Sequence, residues 1–399
     1  MRVTNSMMYR NFTSSTNTVH SRLNKSFNKI STGAAYESAA DSPISYYQGK
    51  KIDNQFLDVK SKAALIKDVQ NRIYQQELGA RDIQQVLTRE GGARTIVMRA
   101  RTGTTTGTAL DTLSADLLQM QHEIVNSLNV QYQDFYVYGG NDLATPPFSL
   151  SADGTTLTFS HIFPGEEEAT VIEMTLEESP TNPGQYAYSA KGVSGPGINT
   201  TSLTGLPNDP EALLTKAMSE QGRIDIGYGT IRDQDTLLDT FTGGLNLLTG
   251  ISSDAVKAST TNGVYSDKDG KGILDYLNNS ALGVIGQAKQ AIDKYGTDDA
   301  TKDAAKLDEI LGRVLGEMTM TEHHISTVYS DLGNKYKLME TTYDSLNKLS
   351  DNLKEQYTDI MGADAYESII DMWENQYSYS ASLKLGAQLM SSSLFDFMR

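Results

Sequence analysis

The stretch LGRVLGEMTMTEHHISTVYSDLGNKYKLMETTYDSLNKLSDNLKEQYTDI, residues 311–360, decides the fold. Leu311, Met318, Ile325, Leu332, Met339, Leu346, Leu353 and Ile360 recur in it every seventh residue without a miss, and Leu315, Tyr329, Tyr336, Tyr343 and Tyr357 follow members of that series by four. A sevenfold period keeps one apolar stripe on one side of a continuous helix. A helix of about 55 residues rises roughly 80 Å. Alone it would leave its stripe in water, so partner helices are required. The same period stands in the N-terminal third, where Ile52, Val59, Ile66, Ile73, Ala80 and Leu87 are spaced by seven with no proline between them. These two seams are expected to form a rod core together.

Outward from the seams, Asp41-Ser42-Pro43 offers a cap and a proline at the first helical position, where its missing N–H is harmless. Before it, Val19, Leu23, Phe27 and Ile30 line one face of an earlier helix that stops near Ser31-Thr32-Gly33. Gly91-Gly92 interrupts or loosens the second helix. Thr102 to Thr108 reads as a turn before a third, carrying Leu110, Leu113, Leu117, Met120, Ile124 and Leu128. Three helices are expected before residue 130. At the other end Gly362 breaks the rod. A last helix from about Asp364 carries Ile369, Trp373, Leu383, Ala387, Met390, Leu394 and Phe397.

The middle differs in character. Phe135-Tyr136-Val137-Tyr138 has strand composition and Gly139-Gly140-Asn141-Asp142 is a turn. Leu157, Phe159, His161 and Phe163 alternate, followed by Ile172, Met174 and Leu176, by Tyr186 and Tyr188, and by Ile224, Ile226 and Tyr228. A helix from Asp209-Pro210 to Gln221 intervenes, with Gly222 as its stop, and helical patterning returns at Asp235 to Leu248 and Ile273 to Tyr295. Residues 148–234 are therefore read as a β-rich insertion between helical segments, and the chain as mainly α.

Composition narrows the function. The chain has 399 residues and no cysteine, which removes disulfides, thiolate nucleophiles and cysteine metal sites. No apolar run approaches the ~18–20 residues that span a bilayer. Met1 to Ile30 is polar and lacks the apolar core of a secretory signal, so export, if it occurs, is expected by another route. The net charge of −16 is uneven: residues 1–110 carry 16 Lys+Arg against 8 Asp+Glu, and residues 307–399 carry 7 against 15. Complementary signs favour association of the two ends. The basic run is read as a solvated helix face and no nucleic acid is expected.

No catalytic constellation emerges, and no enzyme or cofactor is expected. His323-His324 are neighbours that point about 100° apart on a helix, unlike the i, i+4 pair of a zinc helix. Asp267-Lys268-Asp269-Gly270-Lys271-Gly272 lacks the further ligands of a calcium loop and reads as a hydrophilic turn. The unusual feature is apolar termini: Val3, Met7, Met8 and Phe12 at one end, Leu394, Phe395, Phe397 and Met398 at the other. Either they dock on their own core or they are buried only inside an assembly. On the second reading the inter-subunit residues are Val3, Met7, Phe12, Val19, Leu23, Phe27, Ile30, Leu383, Ala387, Met390, Leu394 and Phe397.

Several local motifs carry a resemblance. The opening Met1-Arg2-Val3-Thr4-Asn5-Ser6-Met7-Met8-Tyr9, the element Ser31-Thr32-Gly33 through Asp41-Ser42-Pro43, Tyr136-Val137-Tyr138-Gly139-Gly140 with Thr145-Pro146-Pro147-Phe148, and the close Ser393-Leu394-Phe395-Asp396-Phe397 are together similar to the bacterial flagellin superfamily, in particular its hook-associated branch. The resemblance implies a flagellin-like bundle of long helices formed by both chain ends, with an outer α+β domain. Residues 1–40 and 363–399 would be terminal assembly helices of an inner tube, 41–147 and 235–362 a rod, and 148–234 the outer insertion. It implies an extracellular structural subunit of the flagellum, an adaptor at the hook-filament junction, exported without a cleaved signal peptide. Its implied partners are copies of itself, a neighbouring hook-associated protein, flagellin, an export chaperone on the C-terminal helix and the flagellar secretion apparatus. A filament-forming flagellin is the alternative, and a secreted module binding a surface through the insertion is a second.

Overall fold

A computed structural model describes residues 5–102, 107–180, 182–195, 209–220, 222–226, 237–239, 242–298 and 301–397. The chain is mainly helical with a β-containing middle, and it divides into two compact units, Met1–Ala64 with Tyr343–Arg399, and Leu65–Thr342.

The first unit holds α1 (Asn5–Thr32), the start of α2 (Pro43–Thr88), the end of α10 (Ala304–Met361) and α11 (Ala365–Phe397). α1 stops where Gly33 turns left-handed at φ +69° and donates its N–H to Lys29 O at 2.9 Å. α2 begins at Pro43, as its sequence predicts, but Asp41 does not cap it. Its carboxylate instead gathers the N–H groups of Glu37 (3.3 Å) and Ser38 (3.1 Å) and the Lys25 ammonium (2.9 Å), closing the α1–α2 loop on itself. Where α10 gives way to α11, Ala35 N–H donates to Met361 O (2.7 Å) and Ala363 N–H to Gly33 O (2.9 Å), so the two chain breaks are clasped as an antiparallel bridge. Met361 is buried against Gly49, where an added Cβ would stand 2.3 Å from its Cγ.

In the second unit α2 and α10 run antiparallel. Tyr74 meets Tyr336 at a ring separation of 5.7 Å, and Arg81 Nη2 donates to the Tyr329 hydroxyl at 2.5 Å. Ile66, Ile73, Leu311, Leu332 and Met339 are wholly buried. A second buried row, Val69, Gln76 and Ile83, stands three residues after the Ile66 series. Gly91, at φ +77°, ends α2 outright, so the expected three N-terminal helices are four: α3 (Ala93–Arg101) is tied to α10 by Arg101–Asp308 (2.6 Å) and Arg94–Glu322 (3.5 Å), and α4 spans Gly107–Leu128. Of the turn expected over Thr102 to Thr108, residues 103–106 lie outside the described residues, while Gly107 and Thr108 already belong to α4.

A tight hairpin, β1 (Gln131–Tyr132) and β2 (Phe135–Tyr136), turns at Gln133 and Asp134, both with positive φ. The strand expected over residues 135–138 is cut short because Tyr138 enters the core, where its hydroxyl donates to Gln76 O while Gln76 Nε2 donates to Val137 O (2.8 Å). Next comes an antiparallel meander, β3 (Phe148–Leu150), β4 (Thr156–His161), β5 (Thr170–Glu178) and β6 (Tyr186–Ser194). Its buried face presents Leu157, Phe159, His161, Ile172, Met174 and Leu176, the alternation expected from the sequence.

α5 (Pro210–Ser219) is capped by Asp209, and β7 (Arg223–Asp225) pairs with β8 (Leu237–Asp239). The helix expected at Asp235 to Leu248 is thus corrected: Leu238 is claimed by cross-strand pairing with Ile224, and among the described residues of this stretch only α6 (Gly244–Thr249) is helical. Ile226 lies past the end of β7 and Tyr228 outside the described residues. α7 (Ser253–Ser259), the hairpin β9 (Thr260–Thr261) and β10 (Val264–Tyr265), and α8 (Ile273–Asn278) lead to α9 (Ala281–Ala291), which is buried almost all round and continues as a π-helical turn, Ile292–Thr297. Gly286 on α9 lets Leu176 of the sheet approach; a Cβ there would stand 2.8 Å from its Cδ2.

Candidate assembly interface

α1 and α11 pack lengthwise through a narrow seam. On α1 it is formed by Phe12, Thr16, Val19, Leu23 and Ser26, and on α11 by Ser368, Met372, Asn375, Tyr379, Ser382 and Gly386, all buried or half-buried. Steps of three and four keep each set on one face. The seam is mostly small and polar: Asn375 Nδ2 donates to Ser26 Oγ at 2.9 Å, and His20 lies 5.4 Å from Tyr379 by ring centroids. At its end Phe12 reaches Gly386, where an added Cβ would meet the ring Cζ at 2.2 Å.

The sequence-expected stripe Val19, Leu23, Phe27, Ile30 is therefore split. Val19 and Leu23 enter the seam, whereas Phe27 is 62% exposed and Ile30 38%, because the packed face passes through Ser26 instead. Ser26 was missed since a serine carries no hydrophobic signal, though it sits seven residues after Val19.

Met372 and Tyr379 face α1 within the seam, but most of the large apolar side chains of α11 point away from it. Tyr366, Ile370, Trp373 and Tyr377, with Ile369 beside them, lie within one helical face, about 180° from the seam at ~100° per residue. Trp373 is 64% exposed and Tyr377 78%. Met7, Met8 and Leu383 are exposed as well, as is Ala387. Val3 and the side-chain surroundings of Met390, Leu394 and Phe397 lie outside the described residues. Of the rod seam, Val59, Ile66, Ile73, Leu87, Leu311, Met318, Ile325, Leu332, Met339, Leu346 and Leu353 are buried, while Ile52 and Ile360 are half-buried.

Charge is divided between the paired helices. α1 contains Arg10, Arg22, Lys25 and Lys29 and no acid; α11 carries Glu367, Asp371 and Glu374 in its first three turns. Arg22, Lys25, Lys29, Asp371 and Glu374 line one polar groove with the α1–α2 loop. The Lys25 hydrogen bond and the Ser38 N–H pull the Asp41 carboxyl down to about 2, so this tether stays charged through the physiological range.

Elsewhere the chemistry-bearing side chains are engaged or dispersed. His323 and His324 are exposed, and among the described residues no group of three His, Cys, Asp or Glu is placed to hold a metal. Asp267 closes its own turn by accepting from Asp269 N–H and Lys271 N–H, both 2.8 Å, and from the Tyr276 hydroxyl at 2.6 Å. Among the described residues no helix is long and apolar enough to cross a membrane.

Comparison with known proteins assigns one part of this arrangement. Residues 316–398, most of α10 and all of α11, match the family of the bacterial flagellin C-terminal helical region. Over this segment the chain is flagellin-like, and flagellins are structural subunits of the bacterial flagellum. Curated protein sequences give no match. Among solved structures, a Vibrio parahaemolyticus protein described as a candidate flagellar hook-associated protein aligns at 10% identity over 81% of this chain and 100% of its own, with a TM-score of 0.47. The flagellar hook-associated protein 3 of Legionella pneumophila aligns at 13% identity over 78% and 98%, with a TM-score of 0.42. At these scores neither supplies a residue correspondence.

Proposed function

We propose that this chain is a structural subunit at the hook-filament junction of a bacterial flagellum, built into a ring or short helical tier through its terminal helices. The observation that carries the reading is the aromatic face of α11. Tyr366, Ile370, Trp373 and Tyr377 are long apolar side chains held in water on the side opposite α1, on a helix whose seam with α1 is already filled by other residues. A monomer gains nothing from such a stripe; a neighbouring copy gains a hydrophobic contact from it. Repeating the contact head to tail generates a ring or tier. Met7, Phe27, Ile30, Leu383 and Ala387, exposed as well, are further inter-subunit contacts in this reading, and Val3, Met390, Leu394 and Phe397 are carried into it from the sequence alone. The junction position in particular rests on the resemblance of the opening, the 136–148 motif and the close to hook-associated proteins. Location outside the cell, export by the flagellar secretion apparatus and capture of α11 by an export chaperone follow as parts of the proposal.

Trp373 is the one tryptophan of the chain, so its emission reports this face alone. On assembly it should shift to shorter wavelength. Cells in which Trp373→Ser replaces the native chain should make hooks that carry no filament, while the purified variant keeps the melting transition of the native monomer. Normal filaments in that strain would exclude the reading, and long filaments polymerised from the pure protein alone would favour a filament flagellin instead.

A further inference from the structure

The outer sheet ends in two edge strands, β3 and β6, and an edge strand offers unpaired N–H and C=O groups to any strand that comes alongside. In a subunit that crowds against copies of itself this is a standing hazard. We propose that Asn129 and Asn278 are edge guards that close both sides of the sheet and so confine association between copies to the helices; the inference rests on the self-assembly reading above.

On the β3 side, Ser160 N–H donates to Pro147 O (3.0 Å) and Ser151 N–H to Thr156 O (2.9 Å), which fixes the residues of this segment that bond to β4. Phe148 falls between them, and its N–H and C=O face the free edge. Asn129, one residue past α4, fills that edge: its Nδ2 donates to Phe148 O at 2.6 Å and its Oδ1 accepts Phe148 N–H at 3.1 Å. One side-chain amide thereby reproduces both hydrogen bonds that a neighbouring strand would make.

On the β6 side a different helix supplies one of the two bonds, the acceptor for the outward N–H. Leu176 N–H is directed back to Thr155 O at 2.8 Å, so Tyr188, opposite Leu176, turns its own N–H outward. Asn278, the last residue of α8, accepts it on Oδ1 at 2.5 Å. The guard is held in place by Gln287, whose Nε2 donates to Asn278 O at 2.9 Å. Further along β6 the edge is made unattractive by other means. The register shifts opposite Glu173/Met174, and exposed Lys191 places a charge on the strand, paired with Glu177 at 2.6 Å.

The chain has no cysteine, so a single introduced thiol reports edge-to-edge approach without background. Ala187→Cys on exposed β6 is compared in the full-length native background and with Asn278→Ala, with Lys268→Cys on the remote turn as control. Disulfide-linked dimers at position 187 should form about tenfold faster once the guard is removed, the control being unchanged. Equal rates in both backgrounds, with native circular dichroism, would overturn the proposal. Should Asn278→Ala not fold, amide exchange on the unaltered protein decides: Phe148 and Tyr188 N–H must be as protected as the interior bonds of β4 and β5, and fast exchange at either would refute guarding. Neither measurement depends on a flagellum, so this inference and the junction reading can fail separately.

Discussion

The contact of Phe12 with Gly386 gives the sharpest test of how the terminal helices are held. Glycine inside a helix costs about 1 kcal/mol relative to alanine, so Gly386→Ala considered as helix alone should stabilise α11 by that amount. The new methyl, however, would stand 2.2 Å from the Phe12 Cζ, a distance that requires the ring to move. Overpacking of that kind costs about 1–3 kcal/mol. In the native background the net effect should lie between about zero and 2 kcal/mol of destabilisation. With Phe12→Ala beside it the clash is gone, and the same substitution should stabilise by about 1 kcal/mol. The cycle therefore predicts a coupling of about 1–3 kcal/mol between two positions that are distant in sequence but directly touching. Urea titration of helicity for the four proteins, with amide exchange along α1, measures it. An identical effect of Gly386→Ala in both backgrounds would refute the seam as described.

Two further outcomes follow from burial. Leu332→Ala, at a wholly buried seam position of α10, should cost about 2–5 kcal/mol, whereas Leu338→Ala on the exposed side of the same helix should change stability by no more than about 0.5 kcal/mol; thermal unfolding of the two variants compares them directly. His161 lies between Phe159 and Phe163 with its Nε2 buried and unpaired; burial holds its pKa below the usual value, Asp142 and Glu166 oppose this and Lys216 adds to it. The unfolded chain takes up that proton first, so the contribution is complete above about pH 6.5 and is lost as pH falls below it. Unfolding followed on either side of that value should show the loss, and His161→Phe should remove it; an unchanged slope in the variant would assign the effect elsewhere.

The sevenfold repeat from Leu311 to Ile360 was enough to specify a long helix and its buried side, because one face of a long helix must be covered and only that spacing keeps the face aligned. The breaks at Gly33, Gly91 and Gly362 were readable too, as was the inward alternation of β4 and β5, since both are written in backbone preference and local polarity. Short segments were less legible. Leu237–Asp239 has a helical pattern but is held as a strand by Arg223–Asp225, and Val137-Tyr138 leaves its strand for a hydrogen bond with Gln76, more than sixty residues earlier. No local signal encodes such a partner.

At the termini the division is plainest. The sequence by itself determined that α1 and α11 exist, that α1 is basic and acid-free while the start of α11 is acidic, and that both carry more apolar surface than one pair of helices can use. Which face each turns to the other was decided only by the tertiary structure. Ser26, Ser368, Ser382 and Gly386 let the backbones approach, Phe12, Leu23, Met372 and Tyr379 fill the rest of the seam, and Phe27, Trp373 and Tyr377 were left outside. Hydrophobicity predicts which side chains need burial, but close packing between two particular surfaces determines which of them obtain it within one chain.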